Sequence, residues 1–161
     1  MEAAVIQKKD VILVAEDNPN DREMIREAFE EAVDGGGLEL VFAGDGEEAL
    51  EILLRRSLPG GKDEGPLPSL VILDFDMPKK NGVETIKAMR ATRRLRRVPV
   101  VMLSTSSAFP DIDRSYCAGA NSYLVKPHTI SGLADLLKVT LGYWFGAVRM
   151  PSKSRGDCNG Q

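Results

Sequence analysis

Cysteine is nearly absent: Cys117 and Cys158 are the only two in 161 residues, and they lie far apart. That argues against a disulfide framework and against a zinc site built on paired thiolates. Histidine is scarcer still. His128 stands alone, and it reads as a loop residue rather than as a phosphoryl donor. Long hydrophobic runs are missing too. Stretches such as VPVVMLS have the length of a strand, far short of a bilayer span. The first ten residues carry two lysines in the wrong place for a secretory signal, and the VILVA that follows is cut by Glu16 and Asp17. The expectation is a cytoplasmic chain with no membrane partner. Neither sign of charge dominates. A net charge of −3 gives no global bias toward nucleic acid or anionic lipid. No GxxxxGK[ST] loop is present, so nothing points to an ATPase.

What is present is an alternation of short apolar runs and amphipathic stretches. Val11 to Ala15 reads as a buried strand. Pro19 opens a helix, with Met24, Ile25, Ala28, Phe29 and Ala32 at helical spacing, and the triplet Gly35, Gly36, Gly37 ends it. Leu38 to Ala43 is a second strand. Asp45 and Glu48 have capping-box spacing and open a second helix, whose inward face is expected to be Ala49, Leu50, Leu53 and Leu54. Pro59 to Pro68 is a surface loop, and Leu70 to Asp74 a third strand. Asn81 and Glu84 repeat the capping-box spacing before a helix that buries Val83, Ile86 and Met89. Val98 to Ser104, a helix near Pro110 to Ala118, Asn121 to Val125 and a long last helix through Leu133 and Leu141 complete the series.

Strands that are nearly all apolar, alternating with helices, predict an α/β fold: a doubly wound parallel sheet buried on both faces. In such sheets ligands bind beyond the carboxyl ends of the strands. The residues at those ends are Glu16 and Asp17, then Asp74, Ser104 and Lys126. Three carboxylates crowded together repel one another unless a cation lies among them, and hard oxygen ligands with room for water suit Mg²⁺. A hydroxyl and an ammonium at the same rim suit phosphoryl oxygens. The set reads as a place where a carboxylate is phosphorylated with the help of a metal. Taken singly, each residue is more ordinarily a turn, a cap or a loop residue; their convergence on one rim carries the reading.

The stretches ILVAEDNPNDREMI, LVILDFDMPKKNGVE, PVVMLSTS and AGANSYLVKP, in that order, resemble a response-regulator receiver domain. The resemblance runs from about Val11 to Trp144. DMPKKNG, the long loop before the third strand and the GYWF near the end look most like the single-domain regulators that partner phytochrome-type histidine kinases. The resemblance implies a flavodoxin-like fold with five strands in the order 2-1-3-4-5. It implies that Asp74 accepts a phosphoryl group from a sensor histidine kinase. Asp17, the Asp74 carboxylate and the backbone carbonyl of Asp76 would hold Mg²⁺, with Glu16 contributing indirectly. Lys126 would meet the phosphoryl oxygens, through a cis bond to Pro127. Ser104 would hydrogen-bond the phosphoryl group, and Tyr123 would turn inward as a switch. The protein would catalyse nothing beyond its own phosphorylation and dephosphorylation. Ser104 stands where threonine is more usual, and His128 where an aromatic residue is common.

Asp74 followed by Asp76 also resembles the nucleophile and general acid of haloacid-dehalogenase-type phosphatases. Those enzymes place a further acidic pair after the lysine. Here only Asp135 and Asp157 follow Lys126, and the acidic pair precedes Asp74 instead. The GDGEEA stretch, Gly44-x-Gly46-x-x-Ala49, matches a dinucleotide fingerprint weakly but reads better as a tight turn into a capped helix. RATRRLRR, residues 90 to 97, reads as a solvated helix end where cations suit the dipole, so direct contact with nucleic acid is not expected. The organisation expected is a tail over 1–9, a receiver domain over 10–148 and a disordered tail over 149–161, with no room for an output domain. Leu137, Leu141, Tyr143, Trp144 and Phe145 crowd the last helix and suggest a homodimer packed through that end. Asp76, and Ser106 two residues past Ser104, would flank the path of the hydrolytic water.

Overall fold

The computed structural model describes residues 10–33, 36–58 and 65–152. Strands β1 (Asp10–Ala15), β2 (Leu38–Ala43), β3 (Leu70–Asp74), β4 (Val100–Ser104) and β5 (Ser122–Val125) form one parallel sheet in the order β2-β1-β3-β4-β5. Helices α1 (Pro19–Ala32), α2 (Gly46–Ser57), α3 (Gly82–Ala91), α4 (Phe109–Ala118) and α5 (Ile130–Leu141) alternate with the strands. This is the flavodoxin-like order the sequence led us to expect. Among the described residues no helix is long and apolar enough to cross a membrane.

The continuous apolar strands are explained by two cores. Side chains alternate across a strand, so Leu13, Val71, Leu73, Val100 and Met102 face α2, α3 and α4, while Ile12, Val14, Leu70, Ile72, Val101 and Leu103 face α1 and α5. Each fully buried leucine or isoleucine contributes roughly 1.5–3 kcal/mol. Both faces of β1, β3 and β4 are therefore committed, and only the strand ends are left for chemistry.

Most helix starts follow the caps in the sequence. The Asn18 side chain accepts from the N–H groups of Asn20 and Asp21 at the head of α1. Asn81 and Glu84 close a full capping box at α3. At α2 the box is displaced: Asp45 accepts from the Glu48 N–H, but the Glu48 carboxylate reaches the Gly44 N–H (2.6 Å) instead of that of Asp45. α1 ends at Ala32, ahead of the glycines expected to stop it, of which Gly35 lies outside the described residues. In α2 the buried face is Ala49, Ile52 and Leu53, and Leu54 is 44% exposed. An i, i+3, i+4 face takes Ile52 in and turns Leu54 out.

RATRRLRR is more than a charged helix end. Arg90 Nε and Nη2 donate to the Gly119 carbonyl (3.0 and 2.8 Å), and Nη2 also reaches Asn121 Oδ1 (3.0 Å). Its Nη1 donates to the carbonyls of Arg96 (2.9 Å) and Val98 (2.8 Å). One guanidinium thus staples the end of α3 to the start of β4 and to the turn before β5.

After α5 the chain continues as a π-helical turn, Gly142–Ala147, which tucks Trp144 onto the α1/α5 core and leaves Tyr143 exposed. Met150 packs on the same core, and Arg97 Nη2 donates to the Ser152 carbonyl at 3.4 Å. Residues 149–152, expected in a disordered tail, therefore return to the domain. Residues 1–9, 59–64 and 153–161, which include most of the expected tails and part of the loop before β3, lie outside the described residues.

Candidate functional site

The carboxyl ends of β1 and β3 bring Glu16, Asp17 and Asp74 together. One carboxylate oxygen from each lies within 4.8 Å of the others. Glu16 is buried, Asp74 half-buried and Asp17 exposed, so the cluster has a deep anchor and an open rim. Glu16 is held at both oxygens. Oε1 accepts from the Asn18 N–H (3.1 Å), and Oε2 accepts from Lys126 Nζ (3.0 Å). Lys126, placed by the end of β5, also reaches Asp21 Oδ2 at 3.3 Å. Its backbone N–H donates to the Ser104 carbonyl, which locks the last residue of β4 to the end of β5.

The electrostatics follow from this crowding. Burial pushes the Asp74 carboxyl up to about 7, and the charges of Glu16 and Asp17 add to the effect. Lys126 and the Phe75 N–H, which donates to Asp74 Oδ1 at 2.8 Å, pull the other way without prevailing. Burial disfavours the Lys126 ammonium, yet its hydrogen bond with Glu16 and the charges of Glu16, Asp74 and Asp21 hold its pKa above the ordinary value. Three hard oxygen donors that cannot comfortably all be charged are what a divalent cation would relieve. The donor set fits Mg²⁺ or a similar ion.

Ser104 ends β4 and is 2% exposed; its Oγ accepts from the Ser106 N–H (3.1 Å). The Tyr123 ring packs against the core, with its hydroxyl donating to the Ser106 carbonyl at 2.8 Å. Asp76 points into solvent, and its side chain takes no part in the acidic cluster.

The loop after Asp74 is shaped by two backbone demands. Lys79 has φ +63°, and the Lys80 N–H donates to the Pro78 carbonyl (2.7 Å), giving a tight three-residue turn. Gly82 then brings the head of α3 against the end of β3. A Cβ there would sit 2.5 Å from the Asp74 carbonyl oxygen and 2.9 Å from the end of Met102. Only glycine allows that approach.

All five residues read from the strand ends are therefore assembled at one rim. One expectation does not hold: no described peptide bond is cis, and Lys126–Pro127 is trans. The trans form is the intrinsically favoured one, by about 0.5–1 kcal/mol. Asp21 was missed. The signal was present, because an acid in the first turn after a strand-end pair lies on the same rim as the pair. Asp111, which binds the Ser106 hydroxyl, was also missed, because nothing in the sequence pairs two residues across a loop.

A parallel 2-1-3-4-5 sheet with an acid cluster, a hydroxyl and a lysine at its carboxyl edge defines a receiver. The chain belongs to the response-regulator receiver family, whose domain model matches residues 12–138. Proteins of this family are signalling components of two-component systems, phosphorylated by sensor histidine kinases. Among curated relatives, the chain is 37% identical over 141 residues to the probable methanogenesis regulatory protein FilR2 of Methanothrix harundinacea, covering 88% of this chain and 87% of that one. It is 30% identical over 142 residues to the response regulator Rcp1 of Synechocystis sp., covering 88% and 93%. Among solved structures, the phosphorylated cyanobacterial phytochrome response regulator RcpA superposes with a TM-score of 0.77 at 33% identity, covering 89% of this chain and 99% of that one. The Mn²⁺-bound form of Rcp1 gives 0.74 at 30% identity, with the same coverage. Nothing supports the phosphatase alternative. Asp135, one of the later acids it needs, is exposed on α5 and outside the acidic cluster; Asp157 lies outside the described residues.

Proposed function

We infer that this response regulator accepts its phosphoryl group on Asp74, with Mg²⁺ held by Asp17, the Asp74 carboxylate and the Asp76 carbonyl. The observation that carries the reading is the position of Asp74: it ends β3, clustered with Glu16 and Asp17 from the end of β1, beside β4 with Ser104 at its end, and with Lys126 bonded to Glu16. The donor is a phosphohistidine on a sensor kinase. A new P–O bond to Asp74 forms as the P–N bond breaks, and the electron pair of the broken bond stays on the imidazole nitrogen. A bound cation would supply neutralisation of the crowded carboxylates and of the phosphoryl charge. Lys126, drawn between Glu16 and Asp21, is within reach of the same rim and would turn to a phosphoryl oxygen, while Glu16 keeps the pocket acidic. Ser104 would donate its hydroxyl proton to a second oxygen. Tyr123, whose ring is already inward, would report the change to the outer face.

The receiver unit is taken as the 10–148 read from the sequence, extended through Met150, which packs on its core, and it acts in the cytoplasm through protein contact rather than on nucleic acid. The likeness to the cyanobacterial phytochrome response regulator RcpA supports a phytochrome-type kinase as partner. The exposed Val139 and Tyr143, beside the last helical turn, support a homodimer through that end; light scattering with and without a phosphoryl mimic tests it.

The central test uses Mg²⁺ and acetyl phosphate. Intact mass rises by one phosphoryl group in the wild type and in Asp76→Asn, and does not rise in Asp74→Asn. Equal loss in both variants, or steady release of phosphate from p-nitrophenyl phosphate, overturns the assignment.

A further inference from the structure

Ser106 lies in the connection from β4 to α4 and is engaged through every polar group it has. Its N–H donates to Ser104 Oγ (3.1 Å), and its carbonyl accepts from the Tyr123 hydroxyl (2.8 Å). Its own hydroxyl donates to Asp111 Oδ2 (2.6 Å) and accepts from the Ala108 N–H (3.2 Å). Ala108 is the N-cap of α4 and makes no side-chain cap bond. Ser106 thus supplies, from two residues upstream, hydrogen bonding that alanine cannot.

Asp111 connects to the other side of the site as well. It pairs with Arg114 at 3.9 Å, and the Arg114 guanidinium lies over the Phe75 ring, 5.5 Å from its centroid. Phe75 is buried, and its N–H is the one that holds Asp74 Oδ1. The first turn of α4 therefore touches both loops that frame the acceptor: one through Ser106 to Ser104, the other through Arg114 and Phe75 to Asp74.

The chemistry of the hydroxyl makes these contacts compatible with phosphoryl binding. Serine has one proton to donate and two lone pairs. Ser104 can keep accepting from the Ser106 N–H while its own proton goes to a phosphoryl oxygen. That N–H aims the proton and does not compete for it.

We propose that Ser106 and Asp111 are positioning residues for the phosphoryl group on Asp74, fixing α4 to the site so that the Ser104 hydroxyl and the Tyr123 ring are already aimed. The proposal rests on the phosphoacceptor reading given above.

The test measures beryllofluoride affinity in the presence of Mg²⁺, by calorimetry, alongside melting temperature. The variants are Ser106→Ala, Ser106→Thr, Asp111→Ala and the double alanine variant. Losing one such hydrogen bond weakens binding of this phosphoryl mimic about three- to tenfold in each single alanine variant. The double variant is no weaker than the weaker single, because the pair acts as a unit. Ser106→Thr keeps the hydroxyl and binds as the wild type does. Alanine variants that melt lower but bind with unchanged affinity overturn the positioning role, as does a double variant whose loss is the product of the two singles. A wild type that binds no beryllofluoride overturns this proposal together with the phosphoacceptor reading.

Discussion

Replacing Asp74 should stabilise the cation-free protein. Asp74 has a folded-state pKa of about 7 against an ordinary 3.8, because burial and the charges of Glu16 and Asp17 disfavour its ionised form. Below pH 3.8 both folded and unfolded chains carry the proton, and the site costs nothing. As pH rises from about 4 to 7 the unfolded chain ionises while the folded chain resists, so stability is lost across that window. Above about 7 both forms are ionised and the penalty is constant. At about 1.4 kcal/mol per pH unit the ceiling is about 4 kcal/mol. Partial exposure of Asp74 screens this, and we expect about 2 kcal/mol. Asp74→Asn removes the charge and keeps the shape. In urea titrations with EDTA, the variant should match the wild type near pH 4 and exceed it by about 2 kcal/mol at pH 8. Millimolar Mg²⁺ should close the gap at pH 8 by stabilising the wild type more than the variant. The reasoning fails if the variant is no more stable at pH 8, or if its advantage is the same at pH 5 as at pH 8.

Other outcomes follow from the loops and the staple. Gly82→Ala forces a methyl group onto the Asp74 carbonyl and Met102 and should cost about 2–4 kcal/mol in denaturant melts, with slower phosphorylation by acetyl phosphate. Arg90→Lys loses most of a five-bond network and should destabilise by about 2–3 kcal/mol while leaving the rate of phosphorylation by acetyl phosphate unchanged. If the exposed Asp76 carboxylate orients or repels the hydrolytic water, Asp76→Ala should change the lifetime of the phosphorylated protein, followed by intact mass. It should leave acceptance intact.

The strands and the five rim residues were legible because burial on both faces leaves a sheet few places to put a charge, and polar groups punctuate the strand ends; the strand order came from the family resemblance alone. The capping residues Asp45 and Asn81 were legible for a similar reason: the bond they make is local. What escaped was mostly long-range. Periodicity alone does not decide whether Ile52 or Leu54 faces in, since the rotation of a helix about its axis is set by what it packs on. Arg90 read as one more cation in a basic run, because the four carbonyl and amide oxygens it gathers come from two separate turns. The Asp21–Lys126 contact, 105 residues apart, exists only once β5 has been laid beside the sheet, whereas the Ser106–Asp111 pair is local and depends on how the loop turns into α4. The return of Met150 to the core was hidden by the polar residues around it.

The bond from Lys126 to Glu16 spans 110 positions in the chain. Glu16 follows the first strand laid down, and Lys126 follows the last. A chain emerging from the ribosome, or one cut before β5, carries three mutually repelling carboxylates with no ammonium to hold them. The balance of charge at this rim is thus a property of the completed sheet: the ammonium that offsets the acids arrives with the last strand to join it.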